Sequence, residues 1–356
     1  MKHIAAPITA IAMVAALALS ACSESSTPAA NASVSIMTFN VQNLFDNVDD
    51  PDKDDKAYLP IEAKQNDAHI AECNEIEVDS WRDECLNLDW SDDAIDFKLG
   101  VLADAIRQID GGPDIVAFQE VENLAMLERL NRDYLADFGY SAAILIEGED
   151  NRGIDVGFLS RLPIVGDPIL HPASFPDFPE RQGDTRGLLE ATFEMPNGDL
   201  LTGYAVHFPA PFHPTPMRET AYEQLNALLA GLPADRPVFA AGDFNTTSAE
   251  VSETGIWEEL VRPDWVIAHE TGCDGCRGTA YYARDDSWSF LDTILYSPGR
   301  GENTTWQIRA GSVLIANATD AQTTENGTPA RFRSAERTGV SDHWPLVMTI
   351  ETSIKQ

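Results

Sequence analysis

Residues 34–41 (V-S-I-M-T-F-N-V) largely alternate between apolar and polar positions, the pattern of a first β-strand. Over 97–109, Phe97, Val101, Leu102, Ala105, Ile106 and Ile109 recur at helical spacing, and Gly111-Gly112-Pro113 ends the run. The spacing predicts a second helix over 124–138 and a third over 219–229. Short apolar runs predict strands over 114–118, 141–146, 154–159, 188–193, 200–206, 238–241, 289–296 and 346–350. Segments 271–286 and 321–336 read as polar loops, and no internal repeat is present. Many strands with few helices between them imply two packed sheets with helices outside.

The first residues follow a different pattern. Lys2 and His3 precede an apolar run over 4–19, and then comes Leu19-Ser20-Ala21-Cys22. A basic start, a short apolar centre and small residues before a cut describe an export signal. The run is short for a membrane span of about 20 residues. Cys placed straight after Leu-Ser-Ala resembles a bacterial lipoprotein box, which implies cleavage before Cys22 and lipid on its thiol. The other reading is an ordinary signal peptide with an incidental Cys. Ser23 in place of Asp points to the outer membrane. Residues 1–21 are then a signal peptide, 22–33 a small, polar, flexible tether, and 34–356 one domain. The remaining cysteines, Cys73, Cys85, Cys273 and Cys276, are even in number, as expected of disulfides in an exported chain. The expected pairs are Cys73–Cys85 and Cys273–Cys276. Cys273-Asp274-Gly275-Cys276 could instead be half a zinc site or a redox pair, but no second C-x-x-C supplies the other ligands.

Charge narrows the function. The 356 residues carry 24 basic and 58 acidic side chains, a net charge of −34, with 44% hydrophobic residues. That composition packs a core and excludes wholesale disorder. Such a surface repels polyanions, which argues against a sequence-independent DNA-coating or anionic-membrane role. It does not exclude an enzyme that brings phosphate to a bound cation, because the metal supplies the local positive charge. Residues 46–96 alone hold 18 acidic and 4 basic side chains and read as an insertion pinned by Cys73–Cys85. Asp50, Asp52 and Asp54 sit two apart as in a calcium loop. Asp55 takes the place of the turning glycine, however, and Ile61 that of the bidentate Glu, so the segment reads as a solvated acidic surface.

Five apolar runs end abruptly in polar residues: at Asn40, at Gln119-Glu120, at His207, at Asp243 and Asn245, and at Ser341-Asp342-His343. Strand ends converge on one rim of a sheet, so acids, amides and imidazoles placed there can meet. The motifs T-F-N at Asn40, F-Q-E-V at Glu120, G-D-F-N at Asp243 and Asn245, L-D-T-I at Asp292 and S-D-H at Asp342 and His343 resemble the DNase-I-like endonuclease/exonuclease/phosphatase superfamily. They stand in the family's order across nearly the whole mature chain. The resemblance implies a four-layer α/β/β/α sandwich of two packed mixed sheets, and divalent-metal-dependent phosphoester hydrolysis.

By that resemblance Glu120, Asn40 and Asp342 lie at the metal, with Mg²⁺ expected first and Mn²⁺ or Ca²⁺ as alternatives. Hard cations of this kind take carboxylate oxygens and keep waters. Neutral Asn40 can also hydrogen-bond phosphate or bound water. Asp243 orients or deprotonates the attacking water, or holds a second metal, and Asn245 donates to the transition-state oxygens. His343 is the catalytic imidazole, held by Asp292. His207 is the phosphate donor or general acid, with Asp155 as its orienting acid, which makes two Asp–His pairs. Arg152 either clamps a substrate phosphate or lies on the surface. Arg186 and His213 read as surface or loop residues.

The implied enzyme is a phosphodiesterase or endonuclease; the alternative in the same class is a sphingomyelinase-like phosphatase or phosphodiesterase acting on lipids or small molecules, and substrate contacts separate the two. Nucleases of this fold usually flank the site with basic residues, which are sparse here. Sphingomyelinases of the fold carry an exposed aromatic hairpin, and Trp265, Tyr281, Tyr282 and Trp288 cluster near Cys273–Cys276. A non-catalytic binding lipoprotein on the same scaffold is the rival class. The expected partner is a phosphoester substrate (nucleic acid, phospholipid or small ester). The membrane is met only through the lipid anchor, and the chain is expected to be monomeric.

Overall fold

Ser33–Leu44 (β1), the alternating segment, lies in the middle of a sheet and is buried on both faces. The computed structural model describes Met1 and residues 32–299 and 305–352. The signal peptide, nearly all of the tether and Cys22 therefore lie outside the described residues. The other strands are Ile115–Val121 (β2), Ala142–Leu145 (β3), Asp155–Ser160 (β4), Ile169–His171 (β5), Leu188–Glu194 (β6), Leu200–His207 (β7) and Val238–Asp243 (β8). They continue with Val266–Ile267 (β9), Ala280–Tyr282 (β10), Ser287–Ser289 (β11), Asp292–Ser297 (β12), Trp306–Ile308 (β13), Leu314–Ile315 (β14) and Leu346–Thr352 (β15).

One sheet runs β13-β15-β1-β2-β4-β3, with β14 also on β15, and the other runs β5-β6-β7-β8-β12-β9. Both are mixed: β1 is parallel to β2 and antiparallel to β15, and β7 is parallel to β8, which is antiparallel to β12. The period-2 alternation decides which face each residue takes. Val34 and Ile36 of β1 join Phe158, Phe193, Phe239 and Ile294 in the core between the sheets. Met37, Phe39 and Val41 turn the other way, onto Leu99, Leu102 and Ile106 of the helix Asp92–Arg107. On the far side, Tyr204 and Ala240 pack on Met217, Ala221 and Leu225 of the helix Thr215–Gly231. Helices therefore cover both outer faces, giving the expected sandwich of two mixed sheets flanked by helices. Gly203 leaves room for the Phe239 ring, which a Cβ there would overlap. Phe239→Ala would empty that space at a cost of about 3–5 kcal/mol.

Several elements differ from the sequence expectation. The helix predicted over 97–109 starts at Asp92, because Asp92 and Asp93 favour the positive end of a helix dipole. The helix predicted over 124–138 breaks into an α-turn Leu124–Arg129, a π-turn Leu130–Tyr134 and a 3₁₀ turn Ala136–Phe138, stopping at left-handed Gly139. The strand predicted over 289–296 is two strands: β11 pairs β10 in a small hairpin, and β12 joins the main sheet. That hairpin lies within and just after the loop expected over 271–286.

The acidic segment contains two helices, Asp67–Cys73 and Asp79–Asn87, joined by the Cys73–Cys85 disulfide. Its interior holds Lys64, whose Nζ donates to the carbonyls of Ala57, Glu84 and Leu88. Cys273–Cys276 is the second disulfide. Among the described residues no helix is long and apolar enough to cross a membrane.

Candidate active site

Strand ends bring Asn40, His207, Asp243 and Asp292 to one rim. Asp243 lies opposite His207 in the parallel pair and opposite Asp292 in the antiparallel pair. Asp243 follows the alternation of Phe239 and Ala241, Asp292 that of Ile294 and Tyr296, and His207 that of Ala205. All three therefore face the mouth of the inter-sheet core. Glu120 arrives differently. Pairing of β2 is interrupted between Gln119 and Val121, and Glu120 has φ of +65°, a bulge that swings its side chain towards Asn40. Gln42, Asn43 and Asn245 also have positive φ. Such conformations cost about 1–3 kcal/mol each and persist where the surroundings enforce them. Gln42 shows the enforcement: its Oε1 accepts from the N–H groups of Phe332 and Asp342.

Asn40 bridges two acids. Its Nδ2 donates to Glu120 Oε1 at 3.2 Å and to Asp243 Oδ2 at 3.0 Å, and its Oδ1 accepts from the Gln42 N–H. Asn40 is thus a tie between carboxylates, and its oxygen, with one bond accepted, keeps a second lone pair that a metal could take. Asn43 N–H donates to Glu120 Oε2, and Asn245 N–H to Asp243 Oδ1. The Asn245 amide donates to the Phe208 carbonyl at 3.0 Å, which leaves one of its hydrogens.

His343 Nδ1 is 2.7 Å from Asp292 Oδ2 and 3.9 Å from Asp243 Oδ2. Burial works against charge on His343, yet Asp292, through its charge and hydrogen bond, holds the imidazole well above its usual range. Burial, then the Asp292 charge, pushes the Asp243 carboxyl up to about 7. Burial, then the Arg186 charge, pushes His207 well below its usual range. The two imidazoles are therefore pushed in opposite directions. Burial also opposes the Glu120 charge. Positive charge on His207, Arg152, His343 and Arg186 outweighs this and holds its carboxyl well below the usual range.

Two expected placements need correcting. Asp155 does not hold His207: its Oδ1 accepts from the Gly148 N–H at 3.0 Å, and His207 Nδ1 is buried without a hydrogen-bond partner. The acid nearest His207 is Asp243, at 3.7 Å from Nε2. Asp155 opens β4 beside the turn that carries Gly148, and that turn takes its carboxylate. The site therefore contains one Asp–His pair, not two. Asp342 also stands apart from the acids. Its side chain is 41% exposed, with Arg331 4.0 Å away, because neighbours in an extended segment face opposite ways and His343 takes the inner side.

Arg152 is drawn in, donating to Asn43 Oδ1 beside Glu120. Arg186 was missed as a site residue. It is buried, with Nε 3.2 Å from Asp150 Oδ2, and its charge acts on both His207 and Glu120. His213 is likewise buried rather than at the surface, and its Nδ1 has no hydrogen-bond partner. Of the aromatic group, Trp265 is core, whereas Tyr281, Tyr282 and Trp288 lie on the β10–β11 hairpin, with Tyr282 55% exposed.

The oxygen donors fit a hard divalent cation. Glu120 and Asp243 are joined by one amide, and a carboxylate oxygen of Asp243 and one of Asp292 lie within 4.8 Å of each other. Asp292 Oδ1 is buried with no hydrogen-bond partner, an excess of negative charge that a cation would relieve.

Residues 37–343 match the endonuclease/exonuclease/phosphatase family, and the chain belongs to that family. Solved structures carry the same fold at low identity. An endonuclease/exonuclease/phosphatase from Beutenbergia cavernae is 19% identical, with TM-score 0.55, over 90% of this chain and 72% of that one. D. rerio TDP2 complexed with single strand DNA product is 17% identical, with TM-score 0.54, over 90% and 99%. The Bacteroides thetaiotaomicron mannosyl-6-phosphatase is 15% identical, with TM-score 0.51, over 89% and 99%. No curated protein matches the chain.

Proposed function

We propose that this chain is an exported, lipid-anchored, divalent-metal-dependent phosphoesterase that hydrolyses phosphodiesters. The observation that carries the reading is the His343–Asp292 pair set 3.9 Å from Asp243, which Asn40 ties to Glu120. A hydrolase acting on phosphorus needs a base for water, a donor for the departing oxygen and a sink for negative charge. Asp243, pushed up to about 7, is a base matched to neutral pH. His343 keeps its proton through Asp292 and supplies it to the departing oxygen. His207 and the free hydrogen of Asn245 bond the phosphoryl oxygens. Arg152 and Arg186 add positive charge on the Glu120 side. A bound divalent cation would neutralise the phosphate and polarise its P–O bonds, with Glu120 as the residue to hold it.

The family fold serves a protein solved with a DNA product and a mannosyl-6-phosphatase alike, so the site's own charge guides the ester class. Buried Arg186 and half-buried Arg152, in a chain whose net charge is −34, favour one compact phosphodiester over a long polyanion. The deciding assay uses mature protein with Mg²⁺, Mn²⁺ or Ca²⁺ against DNA, RNA, bis-nitrophenyl phosphate, mononitrophenyl phosphate and sphingomyelin. The expected result is cleavage of bis-nitrophenyl phosphate that stops with chelator and returns with Mg²⁺. No cleavage of any substrate with any of the three ions would sink the reading.

A further inference from the structure

We propose that Asp50, Asp55 and Glu122 form a second site for a hard divalent cation, Ca²⁺ in the first place, which fastens the acidic segment to the end of β2. The site is separate from the phosphoesterase reading and stands without it. One carboxylate oxygen from each of the three residues lies within 4.8 Å of the others. Asp50 and Asp55 come from the acidic segment, and Glu122 lies two residues beyond Glu120, so the cluster joins two regions far apart in sequence.

An acidic cluster alone would be a repelling surface, but two of these three acids are buried: Asp55 is 2% exposed and Glu122 4%. Asp55 Oδ2 accepts from the Asp50 N–H, while Asp55 Oδ1 is buried with no hydrogen-bond partner. A carboxylate oxygen in that state costs free energy unless something positive meets it. Among the described residues no side-chain cation does so. Lys53, in the same turn, sends its Nζ to the carbonyls of Gly148 and Asp150 instead. Glu122 Oε2 is oriented by the Asp46 N–H and the Asn123 amide. Carboxylate oxygens only, contributed by a loop, suit Ca²⁺ better than Mg²⁺, which demands strict octahedral geometry. Asp52 and Asp54, the other members of the alternating trio, are exposed and take no part.

The test is calorimetric titration of CaCl₂ into the chelator-stripped full chain, with thermal unfolding followed in parallel. Four proteins are compared: wild type, an active-site variant carrying Glu120→Ala and Asp243→Asn, Asp50→Asn and Asp55→Asn. The active-site variant should still bind one Ca²⁺ and gain thermal stability from it. Asp50→Asn and Asp55→Asn should weaken that site at least tenfold. Asp50 is exposed, so its variant decides the matter if Asp55→Asn fails to fold. Loss of Ca²⁺ binding in the active-site variant, no binding up to about 1 mM, or undiminished binding in Asp50→Asn would each overturn the proposal.

Discussion

Asp292 holds His343 through a 2.7 Å bond from Nδ1 to Oδ2 while its own Oδ1 stays buried without a partner. The acid is committed to one imidazole. His343→Ala should therefore lower turnover by about 10²–10⁴, the range for a lost acid–base group. Asp292→Asn should cost less, since the imidazole remains. The double variant should fall little below His343→Ala alone, because residues acting as a unit share one loss. Steady-state kinetics on bis-nitrophenyl phosphate measure all three, and additive losses would separate the two roles.

Asp155 bonds Gly148, not His207, and this gives the second prediction. Asp155→Asn should leave turnover within about threefold of wild type, while His207→Ala lowers it at least tenfold by removing a donor beside Asp243. An Asp155→Asn loss equal to that of His207→Ala would restore the Asp–His pairing that the geometry denies.

Lys98 offers a pH test of stability. It is fully buried, its Nζ has no hydrogen-bond partner, and it sits 4.2 Å from the Phe332 ring centroid. Burial pulls its ammonium from 10.5 down to about 7. Between those values the unfolded chain keeps a proton that the folded chain has released, so stability rises with pH across that window. The slope approaches roughly 1.4 kcal/mol per pH unit from this group alone. Lys98→Met should flatten it, as read by urea unfolding at pH 7 and pH 9. An unchanged slope would remove Lys98 as its source.

The lipid anchor rests on Leu19-Ser20-Ala21-Cys22. Cys22→Ser should shift the protein from the membrane fraction to the soluble one and abolish fatty-acid labelling. Continued membrane partition would refute the anchor.

The sheets were legible because their strands alternate or run apolar, and the rim was legible because five of them end in chemistry. What stayed hidden depends on pairing. Arg186 stands just before β6, which runs antiparallel to β7, so the start of β6 shares a rim with the end of β7 at His207. Reading strand starts as well as strand ends would have found it. Asp155 follows the same rule but was captured by a turn that no periodicity reveals. Asp342 and His343 are adjacent in sequence, yet only one can face inward, and spacing alone does not say which. The acidic segment has no core-like period, and its order comes from a disulfide and from Lys64 capping carbonyls.

The position of β1 between β2 and β15 bears on how the molecule is made. The first strand to leave the ribosome meets one of its two neighbours only after the whole second sheet has been synthesised. Until then one edge of β1 stays open, and no early intermediate can close the sandwich, because the closing contact is among the most distant in the chain. The same order makes loss of Leu346–Thr352 more damaging than its length implies, since β13 and β14 would lose their partner and β1 one of its two, exposing edges on which other chains can pair.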